Sequence, residues 1–136
     1  MDFSCVGTDS KGRYYMKYNK PFNFAERIQL LERSILVNSF AYYILDDNIL
    51  SDFQYDDNAK ELAELKKDHP EDFKRSRYYE YFKDYCNDED MVYTSGFDLL
   101  EKVRKADYDL YYRLHEDAST ALRLKYSMKE RRDTNV

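Results

Sequence analysis

The run from Phe22 to Asp47, FNFAERIQLLERSILVNSFAYYILDD, contains neither glycine nor proline and repeats its apolar residues at helical spacing. Phe24, Ile28, Leu31, Ile35 and Tyr42 form one stripe, and Leu30, Val37, Ala41 and Ile44 form a neighbouring one. An amphipathic surface helix shows one such stripe. Two adjacent stripes predict a helix packed on more than one side, hence a central helix around which others assemble. Asn23, with Glu26 three residues on, marks its start as an N-cap in the capping-box pattern.

The rest of the chain gives this helix helical partners. With 3 Gly and 2 Pro in 136 residues, there is little material for tight turns or bulges. A second helix is predicted from Ser51, where Ser51 and Gln54 form a capping box and Asp52 lies in the first turn. Tyr55, Ala59, Leu62 and Leu65 supply its inner face. The short DDNIL connection predicts an antiparallel pair. PEDFKRSRYYEYFKDY reads as a third helix, with Tyr78, Phe82 and Tyr85 on one stripe and Tyr81 beside it. From Phe97 to Met128 the helical pattern returns, anchored by Leu100, Val103, Leu110, Leu114, Ala118, Ala121 and Leu122, with a break near Lys105–Asp107. The fold class that follows is all-α: four to five helices over residues 21–128, an irregular arm over 1–20 with a short extended piece at Arg13–Tyr18, and a charged, frayed tail over 129–136.

Composition excludes several functions. A net charge of −5 is unsuited to a broad grip on duplex nucleic acid, which rests on clustered Lys and Arg. The cysteines, Cys5 and Cys86, lack metal or disulfide-framework spacing and read as reduced thiols. No apolar run is long enough to span a membrane and MDFSCVG is no secretory signal, so the expectation is a cytoplasmic protein. His69 and His115, the two histidines, do not assemble a catalytic triad: His69 reads as structural at a helix end and His115 as solvated. The acidic run Asn87–Asp90 lacks the glycine and terminal glutamate of a calcium loop, so no metal site is expected.

Tyrosine is the compositional outlier, with 15 copies against no tryptophan. Most are read as amphipathic core rings with wet hydroxyls. The corner at 42–56 is different. Asp52, Tyr55 and Asp56 stand at i, i+3 and i+4, on one face at a helix start, and the preceding helix delivers Tyr42 and Tyr43 to the same corner. Tyrosine rings and carboxylates together suit a flat cation bearing hydroxyls: a pyridinium stacks on Tyr, while Asp accepts from ribose hydroxyls or offsets positive charge.

These residues carry a resemblance. Tyr42, Tyr43, Asp46, Leu50, Asp52, Tyr55 and Asp56, followed by His69-Pro70-Glu71, are similar without a gap to the small N-terminal (Ia) domain of bacterial NAD-dependent DNA ligases. The likeness runs over residues 31–71, and its D-x-x-Y-D core is its most specific part. It implies a domain that binds the nicotinamide mononucleotide (NMN) half of NAD, with Tyr42, Asp52, Tyr55 and Asp56 as contacts. Tyr43 stands where that family usually has histidine. The family's adenylating lysine sits in a K-x-D-G motif, whereas the nearest sequence here, Lys105-Ala106-Asp107-Tyr108, lacks the glycine and lies in a helical pattern. The expectation is therefore a non-catalytic module for NAD or NMN, similar to short ligase-related proteins of phage genomes. Three alternatives remain at this stage. One is a phage-type inhibitor that binds a host enzyme or defence complex through Tyr78, Tyr79, Tyr81, Asp88, Glu89 and Asp90. Another is a split partner of a separate adenylation domain, and the last a hydrolase using Asp52 or Asp56.

Overall fold

The computed structural model describes residues 6–8, 14–16, 23–85 and 95–134. Cys5, Cys86 and the acidic contact candidates Asp88, Glu89 and Asp90 lie outside the described residues. Two short strands, β1 (Val6–Thr8) and β2 (Tyr14–Met16), pair antiparallel with Gly7 opposite Tyr15. The described remainder is helical: α1 (Phe24–Tyr43), α2 (Asp52–Asp68), α3 (Pro70–Lys74), α4 (Tyr79–Phe82), α5 (Gly96–Ala106) and α6 (Tyr108–Thr134). The all-α reading holds, and α1 is the central helix, packed against α2, α3, α5 and α6.

The N-terminus of α1 is capped as its sequence predicts, the Asn23 side chain accepting from the Glu26 N–H at 2.8 Å. Its buried face is Ile28, Leu31, Ile35, Leu36, Phe40 and Ala41. The second predicted stripe is only partly interior, since Leu30 and Ile44 are exposed while Leu36 and Phe40 take the core positions. Where α1 ends, Asp46 adopts φ 56°, a left-handed conformation that a short polar side chain tolerates better than a branched one. The Asp47 N–H then closes on the Ala41 carbonyl at 2.9 Å, and the chain turns into α2. The α1–α2 pair is antiparallel: Arg27 grips Glu61 through two bonds of 2.5 and 2.6 Å, and Ser39 meets Tyr55 at the other end. Half-exposed ion pairs of this kind contribute about 0–1 kcal/mol, so buried apolar area holds the pair together.

Two sequence expectations need correction. The predicted single helix over 70–85 is instead two one-turn helices, α3 and α4, around a turn at 75–78. Here Ser76 is buried, donating its hydroxyl to the Glu32 carboxylate of α1 and accepting from the Tyr78 N–H. That long-range contact fixes a turn where local propensity alone favours helix. It also places Tyr78 in the core, 4% exposed, with Arg33 donating to its hydroxyl at 3.3 Å, so Tyr78 cannot present a contact surface. Tyr79 and Tyr81 are half-buried against the same core. The second correction concerns the tail: α6 continues to Thr134, because KERRDT holds good helix formers and no breaker. The break between α5 and α6 falls at Asp107, inside the predicted interval.

Glu32 is fully buried, and its Oε2 has no hydrogen-bond partner among the described residues. Burial pushes its carboxyl up to about 7, against the pull of the Ser76 bond and the Lys66 charge. The folded-state value lies above that of the unfolded chain, so the stabilisation is complete below about pH 4.5 and is lost as pH rises through 7. Stability measured by denaturant titration should fall across that interval. Glu32→Gln should flatten the slope and leave the protein about 1–3 kcal/mol more stable than wild type at pH 8; an unchanged slope would contradict this assignment.

Candidate functional site

A cleft of about 380 Å³ opens at the α1–α2 corner. It is lined by Asn38, Ser39, Tyr42 and Tyr43 from α1, by Asn48, Ile49 and Leu50 from the turn, and by Asp52, Tyr55 and Asp56 from α2. All five residues singled out in the sequence, Tyr42, Tyr43, Asp52, Tyr55 and Asp56, therefore share one cavity. Its size lies at the lower end of ligand clefts, which run from roughly 300 to 1,000 Å³.

Local sequence explains how each wall is made. The last turn of α1 brings Asn38 and Ser39 one helical turn below Tyr42 and Tyr43. The Ser51 box starts α2 at a fixed point, the Ser51 side chain accepting from the Gln54 N–H and the Gln54 side chain accepting from the Ser51 N–H. Asp52, Tyr55 and Asp56 then leave the first turns of α2 on the cleft side. Tyr42 and Tyr43 meet edge to face, with centroids 4.8 Å apart, and both are about half exposed. Tyr55 is partly buried, its hydroxyl 3.1 Å from Ser39 Oγ, which is itself buried. Partial burial, then the neighbouring Tyr55, Tyr42 and Asp98, pushes the Tyr43 phenol above its ordinary value. Asn38 turns its amide nitrogen back to the Ser34 carbonyl at 2.7 Å, which leaves its Oδ1 buried without a partner among the described residues.

Two supports come from the C-terminal helices, and neither has a local signature in the sequence. The first is α5. Gly96, at its start, lies so close to α1 that a Cβ there would sit 2.6 Å from Ser39 Oγ and 3.0 Å from a Tyr43 ring carbon. Next to it, Phe97 makes an edge contact with Tyr43 at 6.0 Å. The second support is α6. Tyr126 donates its hydroxyl to the Asp47 carboxylate, and Lys125 donates to the Asn48 carbonyl with its ammonium 4.0 Å from Asp47 Oδ1. The Tyr126 bond, followed by the Asn48 N–H, holds the Asp47 carboxyl below its ordinary value. The 47–50 turn is thus tied to α6. Asn38, Ser39, Asn48 and Ile49, which the sequence reading did not single out, complete the lining.

The other candidates lie apart. His69 closes α2 and stacks on Phe24 at 3.5 Å, a structural role, and His115 is exposed beside Phe40 and Tyr112. Among the described residues, no cluster of His, Cys, Asp or Glu could hold a metal ion, and no helix is long and apolar enough to cross a membrane.

Comparison with known proteins places this corner inside a shared segment. Residues 22–76 match the family model described as the DNA ligase-like, N-terminal NAD+-binding domain. The DNA ligase of Petrotoga mobilis is 45% identical over 51 residues, and that of Flavobacterium johnsoniae 39% over 51, in both cases 38% of this chain and 8% of the ligase. The DNA ligase of Thermosipho africanus is 42% identical over 48 residues, covering 35% of this chain and 7% of the ligase. The chain thus spans less than a tenth of the length of these relatives, and what matches is the N-terminal domain and not an adenylation domain. No solved structure matches.

The close approach of α5 can be tested without a ligand. Gly96→Ala forces the Ser39 hydroxyl and the Tyr43 ring aside, and overpacking of this kind costs about 1–3 kcal/mol. Thermal melts should show Gly96→Ala several degrees below wild type, while Ser95→Thr, which keeps the cap, stays close to it. Equal melting of Gly96→Ala and wild type would mean that α5 does not press on the cleft wall.

Proposed function

We propose that the protein, whose residues 22–76 carry the segment shared with the NAD+-binding domain of DNA ligases, is a binding module for the nicotinamide mononucleotide part of NAD, or for NMN itself. The observation that carries this reading is the single cleft in which Tyr42, Tyr43, Tyr55, Asp52 and Asp56 converge. Its volume of about 380 Å³ is enough for a mononucleotide. Tyrosine rings supply the stacking surface, and the two carboxylates accept from ribose hydroxyls or face the ring charge. Tyr43, in place of the usual histidine, offers a ring and a hydroxyl without a titratable imidazole.

On this reading the module binds and does not seal nicks. Among the described residues of the cleft there is no lysine to carry an adenylyl group. Lys105-Ala106-Asp107 lies at the α5–α6 break and is not among the residues that line the cleft. Affinity should be modest. NMN has roughly 20 non-hydrogen atoms, and at about −0.3 kcal/mol each the Kd is on the order of tens of micromolar.

The test is calorimetric titration of the purified chain with NMN and NAD, repeated on Tyr55→Ala and Asp56→Ala. Wild type should bind in the micromolar range, and each variant should lose at least about tenfold in affinity with its helical circular dichroism retained. Absence of binding by the wild type up to millimolar ligand would overturn the proposal.

A further inference from the structure

Resting on the nicotinamide reading above, we propose that the ammonium group of Lys125 on α6 receives the phosphate of the mononucleotide at the rim of the cleft. A helix outside the segment shared with ligases then sets the preference for nucleotide over nucleoside.

The need for such a group arises from charge. A phosphate monoester carries about −1.5 to −2 charges at pH 7. The cleft lining meets it with two carboxylates, Asp52 and Asp56, and with no Lys or Arg among its described residues. A helix N-terminus is the other common seat for an anion, but that of α2 is already in use. The Ser51 side chain accepts from the Gln54 N–H there, and Asp52 occupies the first turn. A ligand with a phosphate therefore needs a cation brought from elsewhere in the fold.

Lys125 is placed to be that cation. It reaches back across 77 positions to donate to the carbonyl of Asn48, a residue of the cleft lining. Its ammonium also lies 4.0 Å from Asp47 Oδ1 and 5.6 Å from the centre of the Tyr126 ring, so three neighbours fix its position. Asp47 does not use up its charge, because each Asp47 oxygen has a closer donor. Oδ2 accepts from the Tyr126 hydroxyl, and Oδ1 from the Asn48 N–H at 2.8 Å. An ammonium has three N–H donors, of which the Asn48 carbonyl takes one. The side chain is 42% exposed, which leaves a path for a phosphate from solvent. Holding the ammonium in place beforehand also removes part of the cost of ordering a long side chain on binding.

Nicotinamide riboside differs from NMN by the phosphate alone, so the two ligands isolate this contact. The experiment titrates the full chain with both, in one buffer of low ionic strength, using wild type, Lys125→Met and Lys125→Arg. Wild type should bind NMN at least about fivefold tighter than the riboside. Lys125→Met, which keeps the aliphatic stem and loses the charge, should bring the two affinities within about twofold of each other. Lys125→Arg should keep most of the preference. Equal binding of NMN and the riboside by wild type would overturn this inference while leaving the nicotinamide reading standing. A Lys125→Met variant that weakens both ligands by the same factor would overturn it too, as the mark of a lysine that only braces the turn. Binding of neither ligand by the wild type would remove both proposals.

Discussion

Burial of α1 on more than one side is the constraint from which the rest of the structure follows. A helix with Ile28, Leu31, Ile35, Leu36 and Phe40 fully covered needs partners all around, and α2, α3, α5 and α6 provide them. Because α1 is fixed so completely, its last turn emerges in a defined direction. Asn38, Ser39, Tyr42 and Tyr43 reach the surface together there, and the left-handed residue Asp46 turns the chain back so that α2 presents Asp52, Tyr55 and Asp56 opposite them. The cleft is thus a consequence of ending a core helix at a surface corner, with the turn held by caps on one side and by hydrogen bonds on the other.

The segment shared with ligases does not make this corner by itself. Residues 22–76 contain every lining residue, yet the wall behind Ser39 and Tyr43 is α5, and the outer turn is tied down by Tyr126 and Lys125 of α6. In this chain the C-terminal helices cover the part of α1 that would otherwise be an open apolar face, through Leu99, Val103, Leu114 and Ala118. The same packing that stabilises the fold therefore shapes the cleft. Cleft shape and helix packing meet at Gly96, where one added methyl group would press on both Ser39 and Tyr43.

Features set by short-range chemistry were legible in the sequence. The Ser51-Gln54 box, the Asn23 cap, the helix break at Asp107 and the clustering of Tyr42, Tyr43, Asp52, Tyr55 and Asp56 all depend on spacings of a few residues, and spacing is what a sequence displays. Features set by distant partners were not. The turn at 75–78 exists because Ser76 meets Glu32 across 44 positions, and nothing in KRSRYY announces that pairing. For the same reason Tyr78 read as part of a contact surface although it is a core residue. The Tyr126–Asp47 bond spans 79 positions and was equally invisible. Asn38 carried a faint signal, a polar residue on the rim of an apolar stripe one turn before Tyr42, but many such residues merely face solvent.

The most direct measurement of the central claim is a set of amide chemical-shift perturbations in the isotope-labelled full chain as NMN is added. Saturable shifts are expected to concentrate at 38–56, with smaller ones at Gly96, Phe97 and Tyr126, the residues that support the cleft from behind. Shifts centred instead on the α3–α4 surface around Tyr79 and Tyr81, or no saturable shifts at all, would contradict a nicotinamide site at the α1–α2 corner.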